Sequence, residues 1–442
     1  MFHSLDFLKR TARVACVGSA LLIAGGWPAL ATTIQRVTSP GGVEAWLVED
    51  QTLPIIALNF AFVNGSTQDP AGKEGAASLM AASLNEGAGD LDSAAYQARM
   101  EELAISVNFD AGTDQTYGSL RTLTGTRDEA FEMLRLAVNE PRFDADAVER
   151  MRAQILAGLK QAEEDPDSVA SRSFMEAAFP GHPYSRPGNG TLASMATLTP
   201  EDLKAQRQKL FVREGLVIGV VGAIDAKTLA PLLDTVFGPL PEKSSLPKIA
   251  DVTPKTGERI TRTMDVPQTT ILIGVPGLKR EDKDYQAAFL MDHILGGGSF
   301  TSWLYEEVRE KRGLSYGAGS DLVPYAHTGL LFASAATRAD RAGETLDIIL
   351  AQFKRMAETG PTAEELAKAK AFLTGSYALR FDTSGKIASQ LVALQTAKLG
   401  IDYFDRRNAE IEAVTLDDVK RVAKRLLENA APLVVTVGPA AS

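Results

Sequence analysis

An internal repeat constrains this chain more than any local motif. Residues 199–222, TPEDLKAQRQKLFVREGLVIGVVG, lie over residues 415–438, TLDDVKRVAKRLLENAAPLVVTVG, without a gap. Each copy reads as a helix opened by a threonine, Thr199 or Thr415, with acidic residues in its first turn. A short turn follows, then a β-branched strand ending in Gly222 or Gly438. A unit that recurs in this way makes the chain two related halves rather than one continuous design.

The repeat extends upstream. LPIIALNFAFVNGSTQDPAGKEGAASLMAASLNEGAG and VPQTTILIGVPGLKREDKDYQAAFLMDHILGGG are each an apolar strand, a polar connection, a helix and a glycine-rich exit. Between the halves, residues 240–258 are rich in Pro, Lys and Ser and lack apolar periodicity, which marks a linker. The expected domains are therefore 32–239 and 259–442, both of ordinary size. Strands alternate irregularly with long amphipathic helices such as 144–164 and 362–381. AISVNFDAGTDQTYGSLRTLTG reads as two adjacent strands with a turn between them. The expected class is α+β, with each domain a mostly antiparallel sheet carrying helices on one face.

The first 31 residues read differently. Lys9, Arg10 and Arg13 precede the apolar run VACVGSALLIAGGWPAL, and Ala29-Leu30-Ala31 has the form of a signal-peptidase site. The expectation is export with cleavage near Thr32, most simply into a bacterial periplasm; a single membrane anchor is the alternative. The one cysteine, Cys16, falls in this segment, so the mature chain has no thiol for a disulfide, a nucleophile or a thiolate metal site. The net charge of −10 becomes more acidic still when the basic leader is removed, which argues against nucleic acid as a partner. No later stretch has the length and apolarity of a membrane span, so no membrane association is expected after cleavage.

Complete catalytic constellations are missing from the sequence. No G-x-G-x-x-G follows a strand, and there is no P-loop and no G-x-S-x-G. His182, His293 and His327 remain after the leader, none at helical spacing from another. They read as a loop residue bonded to backbone, a satisfied polar residue at a helix edge, and a solvated turn position. One stretch carries chemistry, ILGGGSFTSWLYEEVREKRGLSYGAG. Gly296, Gly297 and Gly298 precede a helix from about Ser302 to Arg312, Gly313 ends it, and a strand follows from Leu314. Arg309 and Tyr316 can meet across that turn as a donor pair for a carbonyl oxygen or oxyanion. The structural alternative pairs Arg309 with Glu306 and packs Tyr316 in the sheet.

These residues resemble the second domain of the pitrilysin-like metallopeptidases, or inverzincins, a family that includes the mitochondrial processing peptidases. The three glycines with LYEEVREKRGLSY carry the resemblance. GHPY in the first half, the linker and the two-domain repeat extend it over the mature chain. The resemblance implies a clamshell half. It also implies that active members carry H-x-x-E-H on the helix matched here by GKEGAASLMAASLNEGAG, with a glutamate ligand on a later helix. In this chain Ser78 and Ala82 stand where the histidines belong, Ala81 stands where the base belongs, and Gly158 lies near the third ligand. No histidine occurs between Thr32 and Gly181, and no Asp or Glu between Met151 and Gln161, so a small shift of alignment restores nothing.

The resemblance therefore implies no metal or cofactor on this chain and no peptidase activity by the chain alone. It implies instead a partner, a homologous subunit carrying zinc, with which this chain closes around an unfolded peptide and to which it supplies Arg309 and Tyr316. Two other readings stand beside this one, a non-enzymatic scaffold or peptide-binding protein of the same fold and independent activity through a different metal site. Trp303 departs from the smaller or basic residue usual in the family, and the departure points to altered substrate fit or a subunit contact.

Overall fold

The computed structural model describes residues 33–440, and the expected leader with Cys16 lies outside them. Residues from Ile34 onward form one compact unit. The first half contributes strands β1 (Gln35–Thr38), β2 (Glu44–Glu49), β3 (Ile55–Phe62), β4 (Ser106–Ala111), β5 (Thr116–Leu123) and β6 (Val217–Gly222). The second contributes β7 (Arg259–Thr263), β8 (Gln268–Pro276), β9 (Ser315–Pro324), β10 (Gly329–Arg338) and β11 (Leu433–Gly438). The sheet orders are β1-β2-β6-β3-β5-β4 and β7-β11-β8-β10-β9. Set β1 aside and they are the same sheet twice. In each, the first pair is parallel, β2 with β6 and β7 with β11, and the others are antiparallel.

The repeated helix–strand unit has the local chemistry its sequence asks for. Thr199 Oγ1 accepts from Asp202 N at 3.2 Å while Asp202 accepts from Thr199 N at 2.9 Å. Thr415 and Asp418 repeat the reciprocal box at 3.1 and 3.0 Å. Two orphan donors are satisfied at each helix start, which fixes where Pro200–Leu210 and Leu416–Leu427 begin.

Each half lays its own helices on one face of its sheet, as expected. Ile56, Leu58, Phe60 and Phe62 of β3 alternate into the first core, and Ile271, Ile273 and Val275 lie in the second. The opposite faces add a layer absent from the sequence reading, because each is covered by a helix of the other half. Helix Pro166–Ala178 leaves the first half and packs Ala170 and Phe174 against Leu433, Val435 and Val437 of β11. Helix Ser384–Thr396 leaves the second half and packs Ala388 and Leu391 against Trp46, Val48, Ala57 and Val221. A glycine admits each crossing helix. A β-carbon on Gly274 would fall 2.2 Å from the Phe174 ring, and one on Gly219 would fall 2.6 Å from the Ala388 carbonyl oxygen.

The first crossing begins at a sharp stop. Pro166 cannot continue helix Ala145–Glu164, and Asp165, held extended before it, restarts the chain by accepting from Ser168 N at 2.9 Å. A clamp then joins the β4–β5 turn to the β9–β10 turn. The Tyr184 hydroxyl lies 3.0 Å from both oxygens of buried Asp114, which also accepts from Ala326 N at 2.9 Å, and His327 N donates back to Tyr184 at 3.0 Å. Tyr184 ends the GHPY motif. Its His182 accepts from Tyr184 N on Nδ1 at 3.2 Å, so Nε2 carries the proton toward the Ala250 carbonyl at 3.1 Å.

The crossed helices make the halves one cooperative unit. Expressed alone, residues 32–239 would expose the apolar back of their sheet, so we expect no near-ultraviolet circular dichroism from either half alone and its recovery on mixing the two. Phe174→Ala, placed on a helix of the first half, is expected to lower the stability of the whole chain by ~3–5 kcal/mol in a single transition. Two separated thermal transitions would contradict this.

Candidate functional site

The helix Ala76–Ser83 keeps its frame without a ligand set. Gly75 opens it at φ +90°, where a β-carbon would strike the Asn189 carbonyl oxygen and Met195 at 2.8 Å. Asp69 satisfies the helix start, accepting from Gly75 N at 2.8 Å, Ala77 N at 3.0 Å and Gln206 Nε2 at 3.0 Å. Of the four positions matched to ligands and base, only Ser78 has a polar side chain, and its hydroxyl donates to Asn189 Oδ1 at 3.2 Å. Ala81 is buried, Ala82 is half-buried, and Gly158 is exposed on its helix. Methyl groups and a glycine cannot coordinate a cation, so these four residues do not fit a zinc ion. Among the described residues no group of three or more His, Cys, Asp or Glu could hold a metal.

The glycine-rich exit in the second half is a packed turn. His293–Gly297 is a π-helical turn lying against β9, and the three glycines are there for close approach. A β-carbon on Gly296 would fall 2.3 Å from Ser320 N, one on Gly297 2.8 Å from Asp292 Oδ2, and one on Gly298 2.6 Å from the His293 carbonyl oxygen. His293 is buried, with its ring stacked on Phe372 at 5.3 Å, and burial lowers its pKa. Beside it Asp292 is 5% exposed and accepts from the Ser320 hydroxyl at 2.6 Å.

Arg309 and Tyr316 do come together. The helix expected over 302–312 is wider and shorter than an α-helix: Tyr305–Glu310 is π-helical, and Gly313 ends it at φ +59°. Tyr305 and Arg309 share a face of this turn, and the Arg309 guanidinium lies 4.8 Å from the centre of the Tyr305 ring. It also lies 4.4 Å from the Tyr316 ring. The cation is thus in contact with two aromatic faces.

A β-bulge makes the second contact possible. β9 pairs Ala318 with Ala335 and Ser315 with Thr337, so three steps on β9 meet two on β10 and the extra length falls at Tyr316 and Gly317. Ser315 Oγ stabilises the kink, lying 2.6 and 2.7 Å from the carbonyl oxygens of Gly317 and Ala336. A bulge turns a side chain off the pleat, and Tyr316 is 86% exposed.

The structural alternative for this pair is not what is seen. Glu306 pairs with Lys311 at 3.0 Å, and the carboxylate nearest Arg309 is Glu310, at a loose 3.9 Å. Trp303 differs from its expectation too. It is 3% exposed, donates to Glu365 at 2.7 Å and lies under Arg355, so it reaches neither a substrate nor a partner's surface. His327 is half-buried rather than solvated, with Nδ1 3.4 Å from Asp251.

Tyr305 and Asp292 escaped the sequence reading. A buried carboxylate and a solvated one at a helix edge look alike in one sequence. Laying AAFLMDHI over AASLMAAS would have exposed Asp292, because it sets Asp292 opposite Ala81 and His293 opposite Ala82. Burial raises the Asp292 pKa from 3.8 to about 7, with the nearby Asp321 adding to the rise. The folded state then binds a proton that the unfolded state releases, so this group removes stability as pH rises from about 4 to about 7. Asp292→Asn lacks that loss. Chemical denaturation should show its stability relative to the parent improving on the order of 2 kcal/mol between pH 5 and pH 8; a pH-independent difference would contradict the assignment.

Two family models match the chain, "Insulinase (Peptidase family M16)" over residues 47–191 and "Peptidase M16 inactive domain" over 197–373. A Helicobacter pylori protein named as a non-peptidase homolog is 30% identical over 76% of this chain and 78% of its own. A Streptomyces coelicolor protein named as an uncharacterized zinc protease is 25% identical over 92% and 90%. The crystal structure of a peptidase M16 inactive domain from Pseudomonas fluorescens superposes with a TM-score of 0.87 at 30% identity, over 93% of this chain and 99% of that one. With its duplicated sheet, ligand-free zinc helix and paired arginine and tyrosine, the chain belongs to the peptidase M16 family.

Proposed function

We propose that this chain is the non-catalytic, peptide-binding subunit of a zinc endopeptidase, exported to the periplasm, where it closes with a homologous zinc-bearing chain around an unfolded peptide. The observation that carries the reading is the state of Arg309. Its guanidinium is oriented by two rings, carries no close carboxylate, and stands beside an exposed phenol. Contact with two ring faces orients a guanidinium while leaving its N–H donors free to bond elsewhere. With the Tyr316 hydroxyl they form a donor set for a peptide carbonyl, strengthened as negative charge develops on that oxygen. On the partner, zinc would supply the Lewis acid and the activated water. This chain's own residues would bind and orient the peptide.

The exported location rests on the basic and apolar leader and its Ala-Leu-Ala end, and among the described residues no helix is long and apolar enough to cross a membrane.

Co-expression with an H-x-x-E-H homologue is expected to give a complex that cleaves unfolded peptides, whereas either chain alone is inactive. Arg309→Ala should then lower activity roughly 10–100-fold and Tyr316→Phe less, without dissociating the complex. A complex with activity indifferent to both changes would identify a scaffold instead. Failure to form any complex would reject the subunit reading.

A further inference from the structure

Asp292 has no part in the function proposed above, yet it is a buried carboxylate held against β9. It ends helix Tyr285–Asp292 and leads directly into the π-helical glycine turn. Its oxygens divide between two elements. Oδ1 accepts from Ser320 Oγ of β9 at 2.6 Å, and Oδ2 sits beneath Gly297, 2.8 Å from where a β-carbon would be. Among the described residues no cation compensates it; the charge acting on it is the Asp321 carboxylate. Burying a carboxyl without a cation costs several kcal/mol, and nothing about helix termination requires it.

Its position shows what the cost supports. β9 carries Tyr316 at its bulged start, and both π-helical turns pack along it, His293–Gly297 through Gly296 and Tyr305–Glu310 just past the bond from Leu314 N to the Val308 carbonyl at 2.9 Å. The segment joining the two turns holds Phe300, 74% exposed, whose ring stands edge-on to Tyr305 at 5.0 Å. The glycine turn therefore sets where Tyr305 begins, Tyr305 sets one contact of Arg309, and β9 sets Tyr316.

We propose that Asp292 is a positioning residue: by tying the glycine turn to β9 through Ser320, it fixes Arg309 beside Tyr305 and Tyr316. As a positioning role for that pair it rests on the subunit reading, but its geometry can be read without a partner. Arginine-selective ¹⁵N labelling of the full chain, with Arg309→Lys to assign the signal, reports the Arg309 Nε–H proton, which two ring faces shift upfield. The signal should return toward the free-arginine position in Asp292→Ala and in Ser320→Ala. It should stay in place in Asp292→Asn, whose side-chain oxygen still accepts from Ser320. It should also stay in Leu229→Ala, a destabilising change in the first-half core. An unmoved signal in both alanine variants, an equal movement in Asp292→Asn, or an equal movement in Leu229→Ala would each overturn the proposal. If the signal moves as expected while peptidase activity of the complex ignores Arg309→Ala, the positioning role stands and the subunit reading falls.

Discussion

The structure depends on the exchange of helices between its halves. A five- or six-stranded sheet with apolar residues on both faces cannot remain in water with one face bare. Val221 and Trp46 on one sheet and Val435 and Val437 on the other point away from their own helices. Each half closes the other's sheet with a single helix, Pro166–Ala178 or Ser384–Thr396, and the glycines facing those helices let them approach closely. The clamp of Tyr184, Asp114 and the 326–327 backbone completes the junction with groups that are mutually satisfied. Neither half has a complete core without its neighbour, so the functional surface of the second half is as rigid as the junction makes it.

Rigidity matters because the candidate site is an arrangement of loosely paired groups. Arg309 has no strong ion pair to fix it and Tyr316 stands in solvent, so their meeting has to be imposed from below. Three departures from regular structure impose it: the π-helical widening at Tyr305–Glu310, the left-handed Gly313, and the bulge at Tyr316 and Gly317. Each gives up regular hydrogen bonding. Ser315 Oγ on the bulge, and Leu314 N bonded to the Val308 carbonyl at 2.9 Å across the helix end, recover part of what is lost. Irregularities of this kind concentrate where side chains must be aimed.

How much of this the sequence discloses depends on the range of the interaction. Capped helix starts at Thr199 and Thr415, the strands that follow them and the seven-residue approach of Arg309 to Tyr316 are set by neighbours along the chain and can be read directly. The crossing helices cannot. Pro166–Ala178 and Ser384–Thr396 have the periodicity of any amphipathic helix, and nothing local says whose sheet they cover. Trp303 misleads for a similar reason: its partners Glu365 and Arg355 lie over fifty residues downstream, and only their convergence shows that the ring is enclosed. The π-helical form of 305–310 was hidden because its residues are ordinary helix formers, and packing on β9 selects the wider turn.

The two equivalent helices carry the asymmetry on which the proposed function turns. In Ala76–Ser83 the side chains at the ligand and base positions are small, and the helix is held by Asp69, Gln206 and Gly75, none of which needs a metal. Stability and coordination are thus separable in this fold, and the loss of one leaves the other intact. In Tyr285–Asp292 the matching position is a carboxyl, buried at a cost against a serine of the neighbouring strand. A duplicated frame with one helix emptied of chemistry and its counterpart retaining a buried acid fits the proposal of a chain whose contribution to catalysis is geometric. On the proposed function, its second half holds a donor pair in place and the reactive centre is supplied by another molecule.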